Sequence, residues 1–405
     1  MDRSKNPFAP GAGLQPPQLA GRDALIGDAT IDFDRIKQRR PVKSLMLLGL
    51  RGVGKTVLLN RLLEIANKKG IKTAKIEAPE GGVLPALLAP ELRRILYSLD
   101  LKLSAGNTMR TAVMALRNFA SVFKVKIGEI EFGLEPSPGS ADSGDLEQDL
   151  PDLLLAIAEA AAERKTAIGL FIDEVQYLSP KELAALVVAC HEIAQKNLPL
   201  IFVGAGLPQI AALAGNAKSY AERLFNYPEI DKLTADAATL AITIPIKDEG
   251  AAINSDAVSA ILRVTDRYPY FLQEWGFHIW NTAKKSPISK KDVDASTPGV
   301  IDHLDRNFFR VRFDRLTGLQ QKYLRAMAEL GAGPHKTGDI SAMLGVEAST
   351  VAPVRAQLIA KGMVWSQRHG ETGFSVPLFD GFMKRQMPTL QKHTPKGRGN
   401  GSKAN

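Results

Sequence analysis

The residues with the clearest chemistry form a glycine-rich loop near the start of the chain. Residues 49–56 read G-L-R-G-V-G-K-T, which fits the phosphate-binding pattern G-x-x-x-x-G-K-T. An apolar run, 44–48, precedes the loop, and an amphipathic run, 57–63, follows it. A strand, a glycine turn and a helix start in this order direct backbone N–H groups and the positive end of a helix at one anion. The sequence therefore predicts a site for a nucleoside triphosphate.

The loop residues have separate expected roles. The backbone amides of Gly52, Val53 and Gly54 are expected to hold the β-phosphate, and Lys55 to neutralise the β- and γ-phosphate oxygens. The hydroxyl of Thr56 is expected to bind Mg²⁺. The predicted nucleotide-binding residues of the loop are Gly49, Arg51, Gly52, Val53, Gly54, Lys55 and Thr56.

Two adjacent carboxylates follow a second apolar run. Residues 167–172 read A-I-G-L-F-I, and Asp173 and Glu174 come directly after them. A continuous apolar run is typical of a strand buried on both faces of a parallel sheet, and ligands bind at the carboxyl ends of such strands. We expect Asp173 to support Mg²⁺ through water and Glu174 to polarise the attacking water. The alternative is a solvated strand end.

Composition indicates an ordinary globular protein of two or three domains. The chain has 405 residues, of which 45% are hydrophobic and 23% charged. Its one cysteine, Cys190, lies in an apolar run and is expected to be a core residue, which suits a reducing cytoplasm. Residues 1–7 lack an apolar signal core, and proline and glycine interrupt the longest uncharged stretch, 198–217. We therefore expect no membrane span and a cytoplasmic location.

The net charge of +9 permits an anionic macromolecular partner without naming one. Much of the excess lies after Asp380, where no acidic residue offsets it. A tail of this kind is expected to be solvated and disordered, and nucleic-acid contact is the alternative. Its cations are Lys384, Arg385, Lys392, Lys396, Arg398 and Lys403.

Periodicity and turn residues divide the chain into five segments. They are an arm (1–43), an α/β core with a parallel sheet flanked by helices (44–233), a helical lid (234–300), a segment whose three helices and hairpin match a winged helix-turn-helix (301–388), and a basic disordered tail (389–405). In the core we predict strands at 44–48, 71–76, 167–173, 200–203 and 227–233, helices at 84–99, 108–121, 146–165 and 210–224, and a hairpin over 122–132. The arm should contain a helix at 29–38, and a further helix should start at Ser179-Pro180.

With these motifs placed, the chain resembles the AAA+ and STAND branch of the P-loop ATPases. It is most similar to prokaryotic ATP-binding proteins with an origin-initiator-like ATPase domain and a C-terminal winged helix. The resemblance covers roughly residues 6 to 388 and is carried by the segments 19–22, 49–56, 173–174, 203–208, 221–224, 268–272 and 376–379.

The resemblance implies further site residues. Gly21 and Arg22 match the box that lies along the adenine, and Pro269 stands in the lid where relatives often place an arginine. Arg223 matches an arginine finger, which reaches the γ-phosphate of a neighbouring subunit; the alternative is a surface ion pair. The strand end 204–206 lacks the polar side chain that usually helps to position water. These departures predict slow turnover, because phosphoryl transfer depends on positioned charge.

Three functions remain open at this stage. The first is an ATPase switch, with Lys55, Glu174 and Arg223 as catalytic residues and Thr56 and Asp173 at the metal. The second is a DNA-binding module in which ATP is mainly a structural ligand. The third is a STAND-type signalling hub that oligomerises on ATP, with a winged helix that docks protein. The candidate DNA-binding residues are Arg355 and Lys361 on the third helix of the winged segment, and Arg368 and His369 at the hairpin tip.

Overall fold

The computed structural model describes residues 1–11, 13–99, 106–126, 139–366 and 370–390. The chain forms two compact units, Met1–Ser296 and Thr297–Asn405.

A five-stranded parallel sheet forms the centre of the first unit. Its strand order is β2-β3-β4-β1-β5. Every residue of β3 and β4 is buried, as expected for the middle of a sheet covered on both faces. The predicted α/β core with a parallel sheet flanked by helices is confirmed. The strands are β1 (Ser44–Leu48), β2 (Lys72–Glu77), β3 (Ile168–Asp173), β4 (Leu200–Gly206) and β5 (Phe225–Asn226).

Helices pack around this sheet. The apolar positions of α3 to α6 are buried together with strands β2 to β4 in one hydrophobic core. Ser179 caps α6 with its side chain, and Glu182 completes a capping box, as the Ser-Pro start predicts. The helices are α1 (Asp23–Lys37), α2 (Lys55–Lys68), α3 (Leu84–Leu99), α4 (Asn107–Val122), α5 (Leu146–Glu163), α6 (Pro180–Gln195), α7 (Ile210–Ala217), α8 (Ala221–Leu224), α9 (Ala235–Asp248), α10 (Ser255–Val264), α11 (Pro269–Thr282) and α12 (Lys290–Leu304).

A run of helices, α9 to α12, follows the sheet. Thr234 caps α9 by accepting a hydrogen bond from the Ala237 amide, and Pro269 occupies the first turn of α11. Helices α9 to α12 therefore agree with the helical segment predicted over 234–300. Helix α12 contains the boundary between the two units.

Several predicted elements differ from the observed ones. The helix predicted over 210–224 is two helices, α7 and α8, because Lys218 has an extended backbone (φ −148°, ψ 122°). The strand predicted over 227–233 is wrong: β5 ends at Asn226, before that range, and Pro228 has no N–H for a regular ladder, so Glu229 forms only an isolated bridge with Leu48. The chain nevertheless follows β1 to Ile230, whose amide donates to the Leu48 carbonyl. The strand predicted over 200–203 continues to Gly206, and α1 begins at Asp23.

The hairpin predicted over 122–132 does not start as expected, because Val122 ends α4 and residues 123–126 form a turn with no strand. The predicted turn at Gly128-Glu129 lies outside the described residues. No helix in the described part of the chain combines the length and the apolar character needed to cross a bilayer.

The second unit combines helices with a small antiparallel sheet of order β6-β8-β7. An aromatic cluster that includes Phe309, Phe379 and Phe382 is buried in it. Three helices and a pair of strands thus occur where they were predicted, and the winged-helix assignment stays a prediction. The elements are a π-helix (Asp305–Phe309), α13 (Arg310–Phe313), α14 (Gly318–Leu330), α15 (Thr337–Leu344), α16 (Ala348–Ala360), α17 (Phe379–Gln386), β6 (His335–Lys336), β7 (Val364–Trp365) and β8 (Glu371–Phe374).

Candidate nucleotide site

The glycine-rich loop connects the end of β1 to the start of α2. Gly52 and Gly54 have φ angles of +85° and +93°, a region that side chains other than glycine disfavour. At Gly49 the reason for glycine is space, because a Cβ there would lie 2.1 Å from the Ile230 carbonyl oxygen. The backbone of the loop therefore takes the compact turn that the motif predicts.

Lys55 is a buried cation at the first position of α2. Its side chain is 7% exposed, and its Nζ donates to the Leu50 carbonyl at 2.9 Å. Burial lowers the pKa of Lys55 to about 8, while the charges of Glu174 and Asp173 oppose that shift and Arg51 adds to it. A desolvated ammonium group at a helix N-terminus is a position that an anionic ligand would stabilise.

The predicted metal residues lie together. Asp173 ends β3 and is 3% exposed, and its carboxylate forms hydrogen bonds with the Thr56 side chain and with the Glu174 amide, the latter at 2.9 Å. Burial raises the pKa of Asp173, and these two hydrogen bonds oppose the shift. Strand β4 lies between β1 and β3, so the loop and the carboxylate pair meet at the same edge of the sheet.

Glu174 is held by a residue that the sequence reasoning missed. Its backbone has φ 53° and ψ 40°, which is uncommon for a residue other than glycine. The Gln176 side-chain amide donates to Glu174 Oε2, and Gln176 Oε1 accepts from the Leu207 amide at 3.1 Å. Gln176 therefore joins the carboxylate after β3 to the backbone that follows β4. In the sequence, the only indication of this role is that Gln176 is a polar residue close to the carboxylate pair.

Arg22 and Gly21 lie near the loop, and their expected place along the adenine stays a prediction. Arg22 Nη2 donates to the carbonyl oxygens of Val53 at 3.5 Å and Asp231 at 2.5 Å. Burial lowers the pKa of Arg22, and the charge of Asp231 opposes the shift. Gly21 has φ +72°, and a Cβ there would lie 2.8 Å from the Cβ of Ala237 in α9. This box therefore connects the loop to the first lid helix.

The start of α11 also contacts the loop. The Tyr270 amide donates to the Gly52 carbonyl at 3.2 Å, and the Tyr268 ring packs against Gly52. Pro269, between these tyrosines, is thus beside the loop. The Tyr268 hydroxyl is buried without a hydrogen-bond partner in the described part of the chain. Burial raises the pKa of Tyr268, and the charge of Asp231 adds to the shift. An orphaned buried hydroxyl beside the loop is a group that a bound ligand would satisfy.

Of two other predicted arginines in the first unit, Arg51 forms a side-chain hydrogen bond to a described residue of the unit and Arg223 does not. Arg51 Nη2 donates to the Tyr177 hydroxyl at 2.6 Å, which ties the loop to the segment after β3. Arg223 is exposed on the short helix α8, and among the described residues no acceptor lies within hydrogen-bond distance of its guanidinium group. An ion pair of Arg223 with a described residue is therefore absent.

The predicted DNA-binding residues of the second unit contact the protein itself. Arg355 donates to the Thr372 and Ser366 hydroxyls at 2.7 Å and to the Glu371 carbonyl at 3.0 Å. Lys361 Nζ donates to the Arg315 carbonyl at 2.9 Å and to Gln320 Oε1 at 3.0 Å. Both cations therefore support packing within their own unit. Arg368 and His369 lie outside the described residues.

Comparison with family models agrees with this geometry. Residues 18–203 match the family described as AAA ATPase domain. This part of the chain belongs to the AAA ATPase family. The match spans the adenine box, the loop and the carboxylate pair, so the recognition of an AAA+ P-loop ATPase is confirmed. Residues 306–383 match a domain of unknown function (DUF8462). No curated protein matches the chain.

Several solved structures are similar to this chain. A Walker-type ATPase of Pyrococcus abyssi is 15% identical with a TM-score of 0.57, covering 91% of this chain and 97% of its own. The RuvB Holliday junction branch migration motor of Thermotoga maritima is 17% identical (TM-score 0.45, 89% and 95%). The Aeropyrum pernix Orc1 protein, solved in complex with DNA, is 15% identical (TM-score 0.43, 92% and 94%). At 15% identity the first likeness concerns the fold alone.

The site of the AAA ATPase domain fits ATP and Mg²⁺. Lys55 is a buried cation without an anionic hydrogen-bond partner among the described residues, and the loop before it contains two glycines with positive φ. Thr56 and Asp173 supply a hydroxyl and a carboxylate, which are ligand types that Mg²⁺ prefers. The donor set therefore matches the predicted cofactors.

Proposed function

We propose that the AAA ATPase domain hydrolyses ATP and acts as a nucleotide-driven switch. The observation that carries this proposal is the buried ammonium of Lys55 beside the adjacent carboxylates of Asp173 and Glu174. A cation for phosphate, a metal-supporting acid and an acid for water are the parts that phosphoryl transfer requires. All three lie at one edge of the parallel sheet.

In the proposed reaction, the loop amides bind the β-phosphate and Lys55 neutralises the β- and γ-phosphate oxygens. Thr56 would hold Mg²⁺, with Asp173 supporting it. When bound, Mg²⁺ would offset the charge of the β- and γ-phosphate oxygens. Glu174 orients a water so that its oxygen attacks the γ-phosphorus in line with the bond to ADP. That bond breaks, and ADP and phosphate are the products.

Turnover is expected to be slow. The end of β4, residues 204–206, offers only glycine and alanine, and the lid presents Pro269 where an arginine could reach the γ-phosphate. Fewer positioned charges at the equatorial oxygens mean less stabilisation of the transition state. This suits a switch better than a fast motor.

The lid contacts support the switch part of the proposal. The Tyr270 amide and the Tyr268 ring contact Gly52, and Gly21 packs against Ala237 of the lid. A nucleotide in the loop would therefore lie against lid residues, and loss of its γ-phosphate would alter those contacts. We propose the working parts as an arm with the adenine box (1–43), a core (44–233), a lid (234–300), a winged helix (301–388) and a basic tail (389–405).

The test of hydrolysis is the Glu174→Gln variant. It keeps the size of the side chain but removes the carboxylate, so it should retain ATP and lose hydrolysis. Glu249→Gln is the matched control, because Glu249 is exposed at the end of α9. ATP binding is followed by calorimetry, and phosphate release by a coupled assay. Equal turnover in Glu174→Gln and in the control would end the catalytic assignment.

DNA binding through the second unit is the other candidate function. Its support is the net charge of +9 and the cations after Asp380. Arg355 and Lys361 are engaged within their unit, so the proposal now depends on Arg368, His369 and the tail. A gel shift with a generic duplex should weaken steeply with salt, because released counterions dominate phosphate contacts. Joint replacement of Arg368 and His369 by alanine should weaken the shift further. Absence of a shift at low salt would exclude this function.

Oligomerisation on ATP, with a protein partner for the second unit, is the remaining alternative. The exposed Arg223 supports it, because an arginine finger must be free to reach a neighbouring copy. Sizing with and without a non-hydrolysable ATP analogue tests this. A monomer in both conditions would remove the finger role of Arg223.

A further inference from the structure

We propose that Gln176 is a positioning residue for Glu174 and supplies the polar group that the end of β4 lacks. The inference rests on the proposed ATP hydrolysis and adds a residue to it. Gln176 lies in the short 3₁₀ helix Val175–Tyr177 that follows the carboxylate pair. No motif that we recognised in the sequence includes it.

The Gln176 side chain makes two hydrogen bonds of opposite sense. Its amide nitrogen donates to Glu174 Oε2, and its amide oxygen accepts from the Leu207 amide at 3.1 Å. Leu207 directly follows β4, the strand that separates the loop strand from β3. One side chain therefore anchors the carboxylate of Glu174 to the central strand of the site.

Gly206 leaves the room that this anchor needs. A Cβ on Gly206 would lie 2.8 Å from Gln176 Oε1 and 3.1 Å from Ile210 Cγ1. Gly206 does not have a positive φ angle, so conformation alone does not require glycine here. Gly206 is therefore a glycine because a side chain there would collide with Gln176.

The orientation of Glu174 in this arrangement suits the reaction. Glu174 directly follows Asp173 at the end of β3, so its carboxylate lies at the carboxyl end of the sheet, where the glycine-rich loop also lies. The hydrogen bond from Gln176 engages Oε2 and leaves Oε1 for water. The left-handed backbone of Glu174 is a strained conformation of the kind that persists where the surroundings fix it.

Two variants of Gln176 separate its two hydrogen bonds. Gln176→Glu keeps an oxygen that accepts from the Leu207 amide but has no N–H to donate to Glu174. Gln176→Leu loses both bonds. We expect turnover to fall in both variants by roughly tenfold to a hundredfold, as for a misplaced catalytic group. The dissociation constant for ATP should stay at the wild-type value.

Amide hydrogen exchange gives a readout that does not depend on turnover. In the nucleotide-free protein, the Leu207 amide should stay protected in Gln176→Glu and exchange faster in Gln176→Leu. A purely structural role of the anchor to β4 would leave turnover normal in Gln176→Glu, because that variant retains the anchor.

Gly206→Ala provides an independent test without changing Gln176. The added Cβ should displace the amide and lower turnover to the level of Gln176→Leu, and the double variant should be no slower than either single one. Gly215→Ala is the matched control, because the nearest described atom to its added Cβ, Glu222 Oε1, would lie 3.8 Å away. This control should turn over ATP at the wild-type rate.

The outcomes separate this inference from the proposed function. Wild-type turnover in Gln176→Glu, faster turnover in Gln176→Leu, or additive losses in the double variant would each overturn the positioning role while leaving ATP hydrolysis intact. A wild-type protein that binds ATP but releases no phosphate would overturn both.

Discussion

Nucleotide binding should draw a proton onto Lys55. In the nucleotide-free site, burial lowers the pKa of Lys55 to about 8, because the ammonium group is desolvated. A polyphosphate in the loop would place negative charge against that nitrogen and restore the charged form. This prediction is tested by measuring proton uptake and affinity on ATP binding at several pH values.

The size of the effect follows from the lowered pKa. About a tenth of free sites would be neutral at pH 7, about half at pH 8 and about nine-tenths at pH 9, and these fractions are the protons taken up per ATP bound. Because binding takes up protons, affinity must fall as pH rises. Because the fraction of free sites with a charged Lys55 falls from about nine-tenths at pH 7 to about a tenth at pH 9, ATP should bind about tenfold more weakly at pH 9.

Isothermal calorimetry in two buffers of different ionisation enthalpy measures this uptake directly. Lys55→Arg is the control, because a guanidinium group stays charged throughout this pH range. If this variant binds ATP, it should take up no proton. Uptake near zero at pH 9 in the wild type, or an affinity that is flat between pH 7 and pH 9, would refute the picture of a desolvated lysine.

Three further outcomes are expected at the same site. Tyr268→Phe should stabilise the nucleotide-free protein by about 1 kcal/mol in denaturant unfolding, since it removes an unpaired buried hydroxyl, and weaken ATP binding about tenfold if that hydroxyl meets the nucleotide; no change in either would contradict this reasoning. Asp173→Asn should raise thermal stability without nucleotide, because burial disfavours the charged acid, yet abolish the Mg²⁺ dependence of ATP binding by calorimetry; retained dependence would argue against the metal role. Gly49→Ala should destabilise the protein by about 3 kcal/mol in denaturant unfolding and lose ATP, because its Cβ meets the Ile230 carbonyl, whereas Gly27→Ala, with no described atom within 4 Å, should do neither. Equal stability of these two glycine variants would count against the close approach.

The sequence predicted those parts of the site that are formed by consecutive residues. The loop 49–56 and the pair Asp173-Glu174 each depend on local order, namely strand, turn and helix or strand and acid. The buried parallel strands β3 and β4 can also be recognised in the sequence by their unbroken apolar runs. The core fold could therefore be predicted without any knowledge of tertiary contacts.

Other parts of the site depend on contacts between distant segments. Tyr268 meets Gly52 across more than two hundred positions of sequence, and Gln176 reaches Leu207 from another strand end. No local pattern distinguishes a glutamine that holds a catalytic acid from one at the surface.

The roles of basic residues are also difficult to predict from the sequence. Arg355 fits a DNA-facing position by charge alone, but its hydrogen bonds join α16 to residues around β8. A positive charge in the sequence does not reveal whether the protein itself supplies the acceptor. Similarly, the break in the helix predicted over 210–224 lies at Lys218, a residue type that helices ordinarily accept.

The stretch 228–231 makes its hydrogen bonds to the site through its main chain. Leu48 donates to the Pro228 carbonyl and accepts from the Ile230 amide, and Arg22 donates to the Asp231 carbonyl. An alanine scan would leave these carbonyls and amides in place and would not report on their hydrogen bonds. Ile230→Pro would remove the N–H that donates to Leu48, and comparison with Ile230→Ala, which keeps that N–H but also loses the buried side chain, would reveal how much of the site depends on this hydrogen bond.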